Sequence, residues 1–358
     1  MSRAPAIVAL VAALALSPPA PAVTAHGSVT ASVGSGFDSN PTRTVGTEAS
    51  ADGYLGLTAS GQGRLTLGDS QQLSGRYDIG LRKYLQTAPE DLAVQQAELE
   101  WSMQVGRALL GADGSGKWRV ARSGIRDYAD AIAELFFDWA FAKELSARLA
   151  AGARGYVYPP DGDYSHAGPQ AAVSARWQPS RRHLVTLRLF GALPYYRGKA
   201  RLVEATEDLS GVGRRDRQMG AQLSYALRGP VALQVGYAFV RVDSNSYGEA
   251  SERHRLWGAA GIKLPLRLFA SVQAAWQLLR YPDGIFFSES LLLLDDESQS
   301  SAGLKLAWAA TERIDLEVRY AAYWIALPKV HDPSDSAVEV AGSTWWRHTG
   351  HLAVTFRW

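Results

Sequence analysis

Glu98-Leu99-Glu100-Trp101-Ser102-Met103-Gln104-Val105 trades polar for apolar residues without a break. Successive side chains of an extended strand point to opposite faces. Leu99, Trp101, Met103 and Val105 therefore share one face, and Glu98, Glu100, Ser102 and Gln104 share the other. A helix would scatter both sets around its circumference. The same period runs outward along the chain. Arg76-Tyr77-Asp78-Ile79-Gly80-Leu81-Arg82, Gln218-Met219-Gly220-Ala221-Gln222-Leu223-Ser224-Tyr225, Asp315-Leu316-Glu317-Val318-Arg319-Tyr320 and Arg347–Trp358 all repeat it. The pattern predicts strands near 27–37, 52–67, 71–85, 91–106, 117–127, 131–143, 147–158, 168–178, 183–196, 216–228, 231–243, 253–264, 266–281, 298–309, 313–327 and 344–358. The 117–127 segment alternates least, because Arg122-Ser123-Gly124 interrupts it.

The N-terminus reads as an export signal. Arg3 supplies the positive region, and Ala6–Leu16 is an apolar run too short to span a bilayer. Ala20-Pro21-Ala22 and Val23-Thr24-Ala25 both fit a cleavage site. The second places a signal peptide at 1–25 and a single barrel domain at 26–358. No later stretch offers the roughly twenty apolar residues of a spanning helix. A chain that alternates throughout can cross lipid only as a closed barrel, where every backbone group is bonded to a neighbouring strand. Sixteen strands leave about 21 residues for each strand and its connection, which suits membrane strands of roughly 9–11 residues.

The connections alternate as well. Gly68-Asp69, Lys143–Ala147, Gln178–Arg182, Gly229-Pro230, Pro265 and Ala310–Glu312 are short. Asp38–Ala51, Pro159–Ala167, Gly198–Arg215, Ser244–Glu252, Pro282–Glu297 and Pro328–Ser343 are longer. Short turns at one end and long loops at the other are the expected asymmetry of a transmembrane barrel. Two links depart from it: Arg107–Gly116 is long for its place, and Tyr128–Asp130 is short. The fold expected is all-β, a transmembrane antiparallel up-and-down β-barrel of about 16 strands.

Composition agrees. The chain has 11 Trp, 15 Tyr and 10 Phe, residues that gather where an apolar surface meets water. It has no cysteine, which removes disulfides, thiolate metal sites and a lipidated N-terminal cysteine. A net charge of +2 leaves no polybasic surface, so nucleic acid is not an expected partner. Lys83, Lys143 and Arg241 fall on the apolar face, but near strand ends, where their stems can reach the headgroups.

The polar face gathers Arg76, Asp78, Arg82, Glu98, Glu100, Glu134, Asp138, Arg154, Arg188, Gln222, Gln273, Lys305, Asp315, Glu317 and Arg319. Two readings stand side by side. These groups line a hydrated path for a polar solute, or they form an ion-pair network that fills and stiffens a closed barrel. Barrel width favours the first, since about sixteen strands leave an aqueous lumen. The mixed signs argue against strong selectivity for one ion charge.

No catalytic or metal motif competes with this reading, and no cofactor is expected. Gly111–Lys117 has the spacing of a phosphate-binding loop, but Trp118 replaces the metal-holding hydroxyl, and a flexible turn is expected there instead. His348 and His351 point to opposite faces of one strand and cannot share a metal. His331, beside Asp332 and Asp335, reads as a solvated turn.

The last residues, His351-Leu352-Ala353-Val354-Thr355-Phe356-Arg357-Trp358, resemble the C-terminal assembly signal of Gram-negative outer-membrane β-barrels. His351, Phe356 and Trp358 hold its key places. Ala353 stands where Gly is usual, and the terminal aromatic is Trp where Phe is commoner. The resemblance implies residence in the bacterial outer membrane, contact with its lipid and insertion by the barrel assembly machinery. A second resemblance lies in Gly34-Ser35-Gly36-Phe37-Asp38-Ser39-Asn40-Pro41, which is similar to the opening strand of exopolysaccharide-export porins and of surface-lipoprotein assembly modifiers. Those families carry a helical-repeat domain before the barrel, and the first strand here begins almost at the cleavage site. Export would thus need a separate periplasmic partner. General porins fold a long loop between the fifth and sixth strands into the lumen, whereas the expected link, Tyr128–Asp130, is short.

The expected function is an outer-membrane channel for a polar solute or polymer, most sharply an exopolysaccharide-export porin. The alternative is a non-conducting barrel serving as assembly factor, adhesin scaffold or outer-membrane enzyme. No enzymatic activity is expected of the channel. The loop Pro282–Glu297, with Ile285-Phe286-Phe287 and Leu291–Leu294, is expected to fold over the mouth against Tyr195, Tyr196 and Trp345 or to dock a partner.

Overall fold

The computed structural model describes residues 23–43, 50–201, 209–282, 299–326, 330–332, 335–340 and 344–358. The proposed signal through residue 22 and the apolar part of the 282–297 loop lie outside them, as do the side chains of the His331 turn.

The strands are β1 (Val23–Asp38), β2 (Asp52–Leu67), β3 (Gln71–Tyr84), β4 (Leu92–Val105), β5 (Ala108–Ala121), β6 (Tyr128–Ala140), β7 (Leu145–Val157), β8 (His166–Ser180), β9 (His183–Ala192), β10 (Tyr195–Arg201), β11 (Leu209–Leu227), β12 (Val231–Ser244), β13 (Ser251–Lys263), β14 (Leu268–Arg280), β15 (Ser300–Ala309), β16 (Ile314–Ala326), β17 (Val330–Asp332), β18 (Asp335–Val340) and β19 (Thr344–Arg357). β17 and β18 form a separate hairpin in the loop before β19. The others make one antiparallel sheet that closes on itself, with β19 pairing both β16 and β1.

β9 and β10 are two halves of one stave, since β8 and β11 pair with both. Leu193-Pro194 breaks it because proline has no N–H for the ladder. The chain still holds the wall there: Leu193 N–H donates to Pro169 O at 3.0 Å, and Asp216 N–H to Pro194 O at 3.1 Å. Sixteen staves result, the number expected.

The seam sits where the chain ends meet. Thr30 faces Arg357 and Asp38 faces Thr349. Below them Val29 and Trp358 exchange both backbone bonds, at 2.9 and 3.0 Å. Gly34 faces Ala353, and a Cβ added at Gly34 would lie 2.8 Å from the Ala353 methyl and closer still to Leu352 O. The small residue of the terminal motif thus meets a glycine that can have no side chain.

The alternation predicted from sequence becomes an outside and an inside. Leu99, Leu135, Leu189, Leu223, Val272 and Val318 are among the apolar side chains exposed on the outer face. Their surroundings are apolar if that face meets lipid. Two aromatic rows bound it. Trp101, Trp139, Trp177, Trp308 and Trp358 lie near the short-turn end, and Phe37, Trp118, Trp276, Trp324 and Trp346 toward the long-loop end. On β14, paired with β15, Trp276 is eight residues above the Leu268–Trp308 pair. With strands tilted by about 40° this gives roughly 20 Å between the rows, close to the ~25 Å of a transmembrane barrel. Three histidines on this face have their polar atoms satisfied by a tyrosine of an adjacent strand. Tyr225, Tyr237 and Tyr320 hydroxyls lie 2.7–2.8 Å from Nδ1 of His183, His254 and His348.

Two expectations are corrected. The strand expected at 117–127 is β5, from Ala108 to Ala121, and the strand expected at 131–143 is β6, from Tyr128 to Ala140. Gly106-Arg107 is therefore a tight turn, with Gly106 at φ +60°, and the opposite link is 122–127. Both departures from loop alternation vanish. The cause is the glycine-rich stretch, which is strand and not a flexible turn. Gly111 lies under the Phe136 ring, where an added Cβ would come within 2.7 Å of Cε1 and closer to Cζ. Glycine here makes room for a neighbour's aromatic ring instead of breaking the strand. Lys143, placed by expectation on the apolar face of a strand, lies in the turn after β6.

Candidate functional site: the interior wall

Strand pairing settles which residues share the inner face. Arg76 faces Glu98 and Asp78 faces Gln96. Glu100 faces Asp113, Asp113 faces Glu134, and Lys305 faces Arg319. All fifteen candidates quoted above have this parity, including Arg82, Asp138, Arg154, Arg188, Gln222, Gln273, Asp315 and Glu317. Of the terminal motif, His351 points inward and stacks on Tyr54 at 5.8 Å, while Phe356 and Trp358 point outward.

Many inner groups are tied to neighbours. Arg76 meets Asp78 at 2.7 Å. Arg148 grips Asp138 through Nε and Nη2 at 2.8–3.0 Å, and Arg154 grips Asp130 at 2.7–2.8 Å. Glu317 takes Lys305 Nζ at 2.8 Å and also Arg319, and Asp315 takes Arg357. These pairs join adjacent strands or second-neighbour positions of one strand. They stiffen the wall without crossing the interior.

The long-loop end holds two denser clusters. At the seam, Asp38 is fully buried. It accepts from Arg347 Nε at 2.9 and 3.1 Å and Nη2 at 2.6 Å, from Tyr84 Oη at 2.7 Å and from Asn40 N at 3.1 Å. The last bond is the Asx-turn that Asp38-Ser39-Asn40 announces. Arg82 approaches the same carboxylate at 3.7 Å and lies 4.4 Å over the Tyr54 ring. Across the wall, Arg214 joins Asp216 at 2.8 Å and Glu249 at 3.1 Å, and caps the Tyr196 ring at 3.9 Å. From Tyr196 an arc of rings runs through His166 and Tyr156 to Tyr128, with spacings of 4.6, 5.2 and 5.9 Å. Burial raises the carboxyl of Glu249, in the loop after β12, above its usual range, while Arg214 pulls it down.

The middle level is different. Glu100, Asp113 and Glu134 stand directly opposite one another on three adjacent strands. Like charges so placed destabilise a sheet. Glu134 accepts from Gln170 Nε2 at 2.7 Å, and no cation pairs with any of the three among the described residues. Arg253 and Arg255, on the inner face of β13, make no ion pair among the described residues either. β13 is the twelfth of sixteen staves and β4 the fourth, so these arginines lie on the opposite side of the barrel from the carboxylates, but nearer the long-loop end, beside the Leu256–Trp276 pair. A cavity of about 830 Å³ lies against this wall, lined by Gln62, Arg64, Arg76, Glu98, Glu100 and Asp113 among others.

Side-chain accessibility on the inner face bears on whether the interior is filled or hydrated. Arg76 lies on the inner face, yet its side chain is 53% exposed. Glu98, Arg188, Arg253 and Gln273 are exposed there too. A core packed with side chains would bury them.

Sequence reading missed Asp113 and Asp130, because they fell in segments read as turns, and it did not single out Lys117, Arg253 and Arg255. The lid expectation also needs correction in one respect. Tyr195 faces outward and is half exposed, so it cannot pack against a segment folded into the mouth. Tyr196 and Trp345 do face inward, Trp345 packing with Ile325, Leu279, Tyr281 and Tyr323.

No protein-family model matches the chain, and no curated protein does so. Solved structures do. OprB of Pseudomonas putida is 9% identical, with 93% of this chain and 94% of that chain covered and a TM-score of 0.52. An anion-selective porin of Comamonas acidovorans is 9% identical, with 94% and 100% covered and a TM-score of 0.51. A bacterial polysaccharide outer membrane secretin is 12% identical, with 93% and 98% covered and a lower TM-score of 0.41. The chain thus has the fold of outer-membrane β-barrels.

Proposed function

We propose that this chain resides in a bacterial outer membrane and forms a passive channel through which a polar solute or polymer crosses. The carrying observation is the exposed charged and amide wall inside a sixteen-stave barrel, headed by Arg76. Water fills such a lumen, and a hydrated solute passes without losing its hydrogen-bonding partners to an apolar wall. The carboxylate row on β4–β6 and the arginines nearer the mouth on the opposite wall set charges of both signs along the passage, which a dipolar or charged solute meets in turn. Ion pairs within the wall keep the path rigid while it is traversed.

Export of an extracellular polysaccharide is the sharpest form of this proposal. The Asp38-Ser39-Asn40 turn supports it, as do the many hydroxyl, amide and charged groups that could exchange bonds with a sugar chain. A separate periplasmic partner would deliver the polymer, and the barrel assembly machinery would insert the chain. Proteoliposomes carrying the refolded protein test the channel. They should swell in isotonic oligosaccharide faster than protein-free vesicles, with a rate that falls as the oligosaccharide lengthens. Swelling no faster than in empty vesicles would overturn the proposal and favour the non-conducting reading.

A further inference from the structure

The outer face carries a patch that the channel does not use. On four staves close together in the wall, the residue two positions beyond an outward apolar or aromatic side chain, toward the long-loop end, is arginine. Arg197 follows Tyr195 on β10, and Arg217 precedes Met219 on β11. Arg241 follows Phe239 on β12, and Arg280 follows Leu278 on β14. Lys199 and Arg215 continue the series two residues further out. All six cations are exposed.

Their side chains differ in how they are held. Those of Arg197, Lys199, Arg215 and Arg217 make no ion pair or hydrogen bond among the described residues. Arg241 is held at 2.8 Å by Asp243 and at 3.7 Å by Glu252, and Glu252 lies between Arg241 and Arg280 in the ladder. Two carboxylates therefore sit among six cations. Asp243 also faces Arg217 across the β11–β12 ladder, so the two carboxylates lie on the β12–β14 side of the patch and Arg197, Lys199 and Arg215 are left furthest from them to attract an anion. The backbone beneath is ordered: Arg215 N–H donates to Asn245 Oδ1 at 2.7 Å, and Asn245 N–H to Arg215 O at 3.2 Å. Around the rest of the barrel, among the described residues, the same level carries one outward strand cation, Lys83.

We infer that this patch binds the phosphorylated sugar headgroup of an outer-leaflet glycolipid, the phosphates lying on Arg197, Arg215 and Arg217 and the acyl chains running down Tyr195, Leu193 and Met219. Guanidinium groups suit phosphate because they offer paired donors in a plane. Height selects a lipid over a soluble anion. The cations begin where the apolar band stops, so one molecule can satisfy both surfaces at once. The inference rests on residence in the outer membrane.

Purified barrel in a nonionic detergent would be titrated with lipid A, with lipid A stripped of its phosphates, with phosphatidylethanolamine and with inorganic phosphate. The readout is the temperature at which the folded, fast-migrating gel form is lost. Lipid A should raise that temperature at micromolar concentration, and the other three should not. The variant Arg197→Gln/Arg215→Gln/Arg217→Gln removes only cations without an ion-pair or hydrogen-bond partner among the described residues, so the unliganded barrel should melt as wild type. Its apparent affinity for lipid A should fall at least tenfold. Equal binding by wild type and variant would overturn the inference, as would an equal response to inorganic phosphate. Self-association that the variant abolishes would assign the patch to a second copy and also overturn it. Conductance of the same preparation separates the two proposals. Absent lipid A binding with intact conductance refutes the lipid site alone, while a folded barrel that never inserts into bilayers refutes membrane residence.

Discussion

Replacing Asp38 with asparagine is the sharpest probe of how the barrel is closed. The carboxylate is fully buried between β1, β3 and β19 and accepts from Arg347, Tyr84 and Asn40, with Arg82 at 3.7 Å. Asparagine keeps an oxygen for the Asn40 N–H, so the Asx-turn survives. It loses the charge, and its amide turns a donor toward two guanidinium groups. Breaking a buried pair by removing one partner costs about 3–5 kcal/mol, because the remaining charge has been taken from water without compensation. The Asp38→Asn barrel should lose about that much, and Asp38→Ala about 1 kcal/mol more for the turn bond. Arg82→Gln, at the longer contact and partly exposed, should cost about 1 kcal/mol. The assay is urea unfolding of the refolded protein in detergent micelles, followed by tryptophan fluorescence and by mobility of unheated samples. An Asp38→Asn barrel within about 1 kcal/mol of wild type would refute the claim that this ion pair locks the seam.

Other consequences follow from the wall and the strands. Glu100→Gln/Asp113→Gln/Glu134→Gln removes three charges from the lumen. At roughly 8 Å in water each is worth ~0.5 kcal/mol to a passing cation before screening. The ratio of potassium to chloride permeability should therefore fall by about threefold at 0.1 M salt, read from reversal potentials; an unchanged ratio would place the ion path elsewhere. Gly111→Val should destabilise by about 1–3 kcal/mol, since the new side chain meets the Phe136 ring and the Trp101 carbonyl. Gly61→Ala, with open space at its Cβ, is the control and should be near neutral in the same urea titration. Trp358→Ala leaves the two backbone bonds to Val29 but removes an outward ring beside Phe356. It should lower the membrane-inserted fraction and leave a protease-sensitive periplasmic pool, and wild-type insertion would contradict a role for Trp358 in assembly.

The stave count, the closure and the division into inner and outer faces were legible because a membrane barrel obeys one strict period. Glu98 to Val105 states that period openly, and a one-residue error would have turned every side chain around. What failed was the stretch from Arg107 to Asp130. Its glycines read as a turn, whereas Gly111 is a place for Phe136, a relation between strands that no local window contains. Losing that stretch hid Asp113, and with it the carboxylate row. The Asp38 turn was visible, but its burial under Arg347 joins residues from opposite ends of the chain. Loop alternation had already marked the fault, since the only two links that broke the rule flanked the misread strand.

The central claim is an open, hydrated lumen, and single-channel recording in a planar bilayer tests it most directly. Refolded protein that shows the fast-migrating gel form should insert to give uniform steps. Their conductance should rise nearly in proportion to potassium chloride concentration between 0.1 M and 1 M, as for a water-filled path (the concentrations are on the order of those that separate screened from unscreened charge). Folded protein that inserts but gives no steps above the bare-bilayer baseline would contradict the account.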